Sequence, residues 1–260
     1  MTVDLSQWPR VIFERNTLSV VVLQVRFSPV LGLAQPAGVA PFQDKIREDY
    51  PRAEVPSTQV AMAFGPLGAM SGQPTMGPWK FLGDRGWIAA LATDYVSVET
   101  TQYTRYEELR SRAEAVLTVT RDVLGIRDAA RIGLRYVNEI RHPEARALSD
   151  WRRLLKSDLL GVAGGEAIGP DVIQTLQQID AELPTGVLTV RHGWRRPGPD
   201  DPSASPYVID LDAHLDVPQD FDVAAILATC DDFNARIGGF FRQSLTEELV
   251  TYLGPSNPGE

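Results

Sequence analysis

The chain has 260 residues, of which 43% are hydrophobic and 23% are charged. This balance is that of a globular protein, and it excludes a chain that is disordered throughout. The formal net charge of -9 disfavours general binding to nucleic acid, because an acidic surface repels phosphate groups.

The cellular location is predicted from the cysteine content and the N-terminal residues. Cys230 is the single cysteine, which excludes an intrachain disulfide and a cysteine-based metal site and fits a reducing compartment. Met1 to Ser6 lack the basic and apolar regions of a signal peptide. No apolar run approaches the ~20 residues that cross a bilayer. We therefore expect a soluble protein of the cytoplasm with no membrane partner.

The first half of the chain alternates strand and helix patterns. Leu18–Phe27 starts apolar on both faces, which is typical of a central strand. The Gly- and Pro-rich stretch Gly65–Pro78 predicts a long loop, and Tyr106–Leu124 has the spacing of an amphipathic helix that ends at Gly125. The remaining predictions are a helix at Pro41–Tyr50 and strands at Val60–Phe64, Trp79–Leu82, Trp87–Ala92, Tyr95–Thr101 and Ala130–Ile140.

The second half of the chain again places strands before a long helix. Tyr207–Leu215 is the clearest strand, with strict alternation of side chains between two faces. Asp222–Leu253 is a long helical region in which Gly238-Gly239 is the expected break. The other predictions are helices at Asp150–Leu160 and Asp171–Leu183, a strand at Gly186–Trp194, and loops at Gly161–Pro170 and Arg195–Pro206.

These elements predict an α+β fold with a mainly antiparallel sheet and helices packed on one face. Each half ends in a meander followed by an amphipathic helix, which divides the chain into residues 1–145 and residues 146–253. Residues 254–260 are expected to form a disordered tail. The alternative is one continuous domain, which is favoured by the apolar cover that a strand at Leu18–Phe27 needs on both faces.

The strand at Tyr207–Leu215 places Asp210, Asp212 and His214 on one face. Carboxylates with a histidine are suitable ligands for a divalent cation such as Mn²⁺, Mg²⁺ or Zn²⁺. Such neighbours lie ~7 Å apart, so they share an ion only if the strand bends or a second strand contributes. The alternative, which we favour, is a surface edge whose acids pair with arginines of adjacent strands.

A second candidate site lies in Gly133–Ile140, where Arg135 and Glu139 share one face of a strand. Arg135 is placed to form a bidentate pair with a carboxylate such as Glu99 or Asp212 on a neighbouring strand. The functional interpretation is an arginine that binds an anion in a cleft. The structural interpretation, a cross-strand ion pair, is the one that we favour.

Asn138 lies on the opposite face of the same strand, with Leu134 and Tyr136. If that face belongs to the core, Asn138 must be hydrogen-bonded, most simply to the backbone. The candidate ligand-binding residues are therefore Arg135, Asn138, Glu139 and Glu99.

The strand Gly133–Asn138 (GLRYVN), with the strand Val96–Thr100 and the later Asp210-Leu211-Asp212, resembles an uncharacterised, sporadically distributed bacterial protein family of similar length. The resemblance runs over most of the chain. It implies a self-contained, full-length unit, and it implies no activity, cofactor or catalytic residue.

Two hypotheses about function remain, because the sequence has no phosphate-binding glycine loop, dinucleotide fingerprint, zinc-protease helix or nucleophile elbow. The first is a non-enzymatic binding protein that holds a partner protein or a small ligand in a cleft, with an antitoxin or immunity role as one version. The second is a metal-assisted hydrolase or phosphoryl-processing enzyme. In that enzyme Asp210, Asp212 and His214 would hold a divalent cation, and Arg135 would hold an anion.

Overall fold

The computed structural model describes residue 5 and residues 11–65, 68–166, 171–197 and 205–256. For residues 58–65 and 68–75 it describes the backbone alone. The strands are β1 (Ile12–Phe13), β2 (Leu18–Arg26), β3 (Arg52–Glu54), β4 (Thr58–Gly65), β5 (Gly68–Met76), β6 (Trp79–Leu82), β7 (Trp87–Leu91), β8 (Tyr95–Thr100), β9 (Asp128–Ala129), β10 (Arg131–Ile140), β11 (Gln174–Glu182), β12 (Val187–Arg195), β13 (Tyr207–Leu215), β14 (Gln219–Asp220) and β15 (Pro255–Ser256). The α-helices are α1 (Pro36–Ile46), α2 (Tyr106–Leu124), α3 (Ser157–Leu160), α4 (Val223–Ser244) and α5 (Glu247–Leu253).

One antiparallel sheet of nine strands runs through the described chain in the order β11-β12-β13-β10-β2-β8-β7-β6-β3. Strand β10 is central to it, because it pairs with β2 on one side and with β13 on the other. The parts of the chain before and after residue 146 therefore contribute to one sheet.

The helices lie over the apolar face of this sheet. Helix α2 packs on β8, and α4 packs on β10 and β13, with α1 against α2. The buried apolar side chains of the three central strands are Val21, Leu23 and Val25 in β2, Ile132, Leu134, Tyr136 and Ile140 in β10, and Tyr207, Ile209, Leu211 and Ala213 in β13. The predicted α+β fold, with a mainly antiparallel sheet and helices on one face, is confirmed.

Strand β11 shows that the predicted helix at Asp171–Leu183 is wrong. The segment turns back on itself and pairs with β12 throughout its length. The backbone N–H of Leu183 donates to the carbonyl of Gly186 at 2.9 Å, which closes a two-residue turn. Gly186 supplies the left-handed φ of 91° that this turn requires. Pairing with a neighbouring strand thus overrides the helical spacing of the apolar residues.

Two predictions in the first half also differ from the structure. The loop predicted at Gly65–Pro78 contains β5, which pairs with β4. Its register shifts next to Pro74, where a proline cannot donate to the ladder. Helix α1 starts at Pro36, before the predicted start at Pro41, because a proline suits the first turn of a helix.

The helix predicted at Asp150–Leu160 consists of two shorter pieces. A 3₁₀-helix covers Leu148–Arg153, and α3 follows it. Between them Leu155 forms a β-bridge with Leu245, and the N–H of Lys156 donates to the carbonyl of Ser244 at 2.9 Å. These contacts take the backbone out of helical geometry and connect it to the end of α4.

Helix α4 continues through Gly238-Gly239, so the predicted break lies elsewhere. A Cβ at Gly239 would collide with the carbonyl oxygen of Leu5, so this glycine admits another segment of the chain. The helix ends instead at Ser244, after which Thr246 caps α5 by accepting from the N–H of Leu249. None of the described helices has the length and apolar character needed to cross a membrane.

Several predicted loops fall partly outside the described residues. In Gly161–Pro170, a 3₁₀-helix covers Gly161–Gly164, and residues 167–170 lie outside the described range. In the loop predicted at Arg195–Pro206, residues 198–204 lie outside it. Of the tail predicted at residues 254–260, β15 pairs with β1, and residues 257–260 are not described.

A buried polar pair lies on the helical face of β12 and β13. His192 is 1% exposed, and its Nδ1 lies 2.9 Å from the hydroxyl of Tyr207. The rings of His192 and Tyr207 stack, and the ring of Trp151 also packs on Tyr207, with 5.3 Å between the two centroids. Burial lowers the pKa of His192 to about 4, because the imidazolium would lose its hydration.

We expect acid to destabilise the fold through His192. Below the ordinary pKa of 6.5 the unfolded chain binds a proton that the folded chain does not, so stability is lost as the pH falls from 6.5 towards 4. This group alone is expected to lower the free energy of unfolding by about 3 kcal/mol at the acid end of that window. Above it, His192 contributes no pH dependence.

Urea unfolding of the wild type and of His192→Phe, near neutral pH and near pH 4, measures this contribution. The variant should lose less stability than the wild type between the two conditions. His142, whose pKa is also lowered by burial, is present in both proteins and cancels in the comparison. Equal losses in the two proteins would contradict the assignment.

Candidate functional site

The strands that carry the predicted site residues lie side by side. β10 and β13 pair with Arg135 directly opposite Asp212. On the face of the sheet opposite the helices, the guanidinium of Arg135 reaches diagonally to Asp210, with Nε–Oδ1 and Nη2–Oδ2 distances of 2.7 Å each. The bidentate pair is therefore present, with Asp210 as its partner and not Glu99 or Asp212.

The two members of this pair differ in exposure. The side chain of Asp210 is 8% exposed and that of Arg135 is 46% exposed. Arg191 of β12 lies on the other side of the carboxylate, with its Nη1 3.6 Å from Oδ2. The hydrogen bonds to Asp210 raise the pKa of Arg135. The arrangement compensates a nearly buried carboxylate, which is a structural requirement.

The other acids of this strand also face cations. Arg131 lies 3.4 Å from Asp212 and 3.0 Å from Asp216, measured between Nη2 and Oδ2 and between Nε and Oδ1. His214 Nε2 is 3.3 Å from the second oxygen of Asp216. Over the described ranges, no three His, Cys, Asp or Glu side chains are grouped as metal ligands. Asp210, Asp212 and His214 share a strand face without forming one site.

The two predicted glutamates lie apart from the Arg135 pair. Glu99 on β8 is separated from Arg135 by Val22 of the intervening β2, a distance of about 10 Å across the sheet. Burial raises the pKa of Glu99. Glu139 accepts a hydrogen bond from Arg141 at 3.2 Å and faces an open groove near the start of β2. The structure does not assemble these four predicted residues around one ligand.

Asn138 lies on the helical face and is 3% exposed. Its Oδ1 accepts from the hydroxyl of Thr17 at 2.8 Å, and its Nδ2 donates to the carbonyl of Ile209 at 3.3 Å. The prediction that a core Asn138 must be hydrogen-bonded is confirmed. Together with Thr17, it forms part of the wall of a cavity.

This cavity, called the α2–α4 cavity below, lies where the start of β2, the strand β10, the turn before α2 and the helix α4 meet. Its volume is about 340 Å³, and most of its wall is apolar. The apolar lining includes Ile12, Phe13, Leu18, Ile237 and Phe241. The uncharged polar side chains of the wall are Asn16, Thr17, Tyr103, Thr104, Tyr106, Tyr136, Asn138 and Asn234.

Three of these polar side chains form a directed hydrogen-bond chain. Tyr136 donates to Oδ1 of Asn234 at 2.9 Å. Because its proton is used there, the hydroxyl of Tyr136 acts as the acceptor in its 3.3 Å contact with the hydroxyl of Tyr103. This hydrogen-bond chain ends at Asn234, whose Nδ2 donates to no group within the described parts of the molecule.

Helices α2 and α4 are held together beside this cavity. The hydroxyl of Tyr106 donates to Oδ1 of Asp231 at 2.8 Å, and Nε of Arg110 donates to the same oxygen at 3.0 Å. Burial raises the pKa of Tyr106, so its phenol remains a neutral donor. These bonds fix the width of the cavity between the two helices.

Most of the cavity residues were not candidates from the sequence. Tyr103 and Asn234 are neutral, lie in no motif and are 131 positions apart in the sequence. The one signal was Asn138, a polar side chain on an otherwise apolar strand face. Asn138 lies in the wall of the cavity, whereas charged candidates such as Arg135 and Asp210 lie on the opposite face of the sheet.

Comparison with protein-family models, with curated proteins and with solved structures found no match to this chain. The resemblance to a bacterial family therefore stays a prediction. The function has to be inferred from the residues that line the cavity and the sheet.

We expect Arg135→Ala to lower the free energy of unfolding by about 2 kcal/mol, because it leaves a nearly buried carboxylate with Arg191 as its remaining cation. Arg135→Lys should recover part of this loss, since an ammonium group cannot form two parallel hydrogen bonds. Urea unfolding near neutral pH measures both effects. The matched control is Arg26→Ala, which removes a more exposed pair with Asp94 and should cost no more than about 1 kcal/mol. Equal losses for Arg135→Ala and Arg26→Ala would contradict a special role for the Asp210 pair.

Proposed function

We propose that this protein binds a small, uncharged molecule in the α2–α4 cavity. One observation carries the proposal: a mostly apolar cavity whose interior polar groups are uncharged and held in place by hydrogen bonds. Small-molecule sites combine an apolar wall, which takes up the body of the ligand, with a few fixed polar groups that orient it. The volume of about 340 Å³ lies at the small end of the usual range for such sites.

The charges near the cavity support an uncharged ligand. Asp231, beside the cavity, is already paired with Arg110, and Arg242 of the lining is paired with Glu247 at 2.8 Å. Arg105 and Glu107, also of the lining, are exposed to water. A charged ligand would therefore lose hydration in the apolar interior without gaining a buried partner.

The direction of the hydrogen-bond chain specifies the polar group of the ligand. Tyr103 donates to Tyr136, and Tyr136 donates to Asn234, so the remaining donor is the amide Nδ2 of Asn234. The ligand that fits carries an acceptor, such as a carbonyl oxygen, on an apolar body. Hydrogen bonds in such a chain polarise one another, which strengthens the terminal donor.

We expect saturable binding of 6-propionyl-2-dimethylaminonaphthalene, a neutral fluorescent ketone whose emission shifts to shorter wavelength in apolar surroundings. Gly238 lines the cavity, and a Cβ there meets no heavy atom within 4 Å. Gly238→Leu should therefore fill part of the cavity without strain and weaken binding by at least about ten-fold. Fluorescence titration measures the dissociation constants.

The matched control is Ala228→Leu, which adds the same side chain to an exposed position of α4 and should leave binding unchanged. Asn234→Leu keeps the volume and removes the terminal donor, so it should weaken binding by about five- to ten-fold. Wild-type protein that fails to bind the ketone, or binding that Gly238→Leu and Ala228→Leu reduce equally, would refute a ligand site in this cavity.

A further inference from the structure

The two edge strands of the nine-stranded sheet, β3 and β11, differ in length and in the prolines beside them. At one end β3 has three residues and lies between Pro51 and Pro56, which cannot donate to a further ladder. At the other end β11 has nine residues, contains no proline, lysine or arginine, and pairs with β12 without a bulge. Within the described residues, the outer edge of β11 pairs with no strand. Natural sheets block long, flat edges of this kind unless another strand covers them.

The backbone groups that β11 presents outwards follow from its pairing with β12. The N–H of Leu183 donates to Gly186, and the N–H of Arg196 donates to the carbonyl of Ile173 at 2.8 Å, so the odd-numbered residues face β12. The even-numbered residues therefore direct their N–H and C=O groups away from the sheet. These residues are Gln174, Leu176, Gln178, Asp180 and Glu182.

Apolar side chains are exposed on both faces of this edge. Leu176 is 51% exposed on the face opposite the helices, and Ile179 is 52% exposed on the helical face, beside buried Val190 of β12. An added strand would cover both. The edge thus offers backbone hydrogen bonds and apolar contact area to the same partner.

We propose that β11 pairs antiparallel with β11 of a second copy of this chain, around a two-fold axis at Ile179. This register pairs even-numbered residues with even-numbered residues, so the outward N–H and C=O groups of Leu176, Gln178, Asp180 and Glu182 find partners in the second copy. The two copies of Ile179 then form a non-hydrogen-bonded pair, in which side chains approach most closely. The surface is self-complementary, as a two-fold interface requires.

The side chains of β11 are complementary to themselves in this register. Asp180 lies opposite Gln178 of the second copy, and Glu182 lies opposite its Leu176, so no two acids face each other. Gln178 and Asp180 already attract within one strand, with Nε2 3.3 Å from Oδ2. Arg191 donates to Gln178 at 3.2 Å, so it also lies near the incoming Asp180. Hydrogen bonding between Gln178 and Asp180 therefore favours a second copy of the chain at this edge, and Arg191 of each copy compensates the nearby acid.

Sedimentation velocity over a wide range of protein concentration tests the dimer directly, and we expect a species of twice the monomer mass. Gln178→Pro removes an outward N–H and leaves the ladder to β12 intact, so it should raise the dimer dissociation constant at least about ten-fold. Gln178→Thr keeps the N–H and should remain dimeric. Circular dichroism and urea unfolding verify that the variants are folded.

Cysteine cross-linking tests the register. The native Cys230 is buried, so Ile179→Cys introduces the reactive thiol. At the two-fold axis the paired Cα atoms lie close enough for a disulfide, and mild oxidation should convert the dimer into a covalent one. In Ala181→Cys the thiols lie on the same face but about 13 Å apart along the strands, so this variant should stay uncross-linked.

A wild type that is monomeric at every concentration would overturn the proposal and leave the edge for a strand of another protein. A dimer that Gln178→Pro does not weaken would also overturn it, because the contact would lie elsewhere. Equal cross-linking of Ile179→Cys and Ala181→Cys would refute the register. Binding of the ketone in the α2–α4 cavity is measured separately, so neither proposal depends on the other.

Discussion

The pairing of β10 with both β2 and β13 is the interaction on which the rest of the structure depends. It joins strands from the two parts of the chain into one sheet, and it is the support for α4. Because side chains alternate, the same strand supplies Asn138 and Tyr136 to the cavity and Arg135 to the opposite face. A slip of one residue would exchange the two sets, so the register of β10 specifies both the polar surface and the cavity.

The polar groups on the two faces of β10 differ in charge. On the open face, Asp210 and Arg135 are charged and compensate each other, so little of their electrostatic potential remains for a ligand. On the helical face, the polar atoms are neutral and are placed by bonds such as that from Thr17 to Asn138. Neutral groups are less costly to bury than ions, which is why a mostly apolar cavity can keep them. The charged residues are more conspicuous in the sequence, but the neutral residues line the cavity.

Local patterns in the sequence predicted those elements whose position in the fold agrees with their periodicity. The strand at Tyr207–Leu215 and the helix at Tyr106–Leu124 have the predicted bounds, because each buries one continuous apolar face. β11 was missed because the apolar residues in and beside it, Val172, Leu176, Ile179 and Leu183, have helical spacing. On an edge strand the burial that normally enforces alternation is weak. The cavity could not be predicted, because Tyr103 and Asn234 meet only through tertiary packing.

The unequal ends of the sheet also limit how far it can grow. Addition of strands at both ends of a sheet leads to open-ended polymers, the route by which exposed edges produce fibrils. Here β3 has three residues, and Pro51 and Pro56 remove backbone donors on either side of it, so that end offers few hydrogen bonds to a further strand. Within the described part of the nine-stranded sheet, a strand that joins β11 occupies its long unpaired edge, so growth of this sheet stops after one strand pairing. The prolines at one end of the sheet thus allow the other end to keep an unpaired edge strand without continued strand addition.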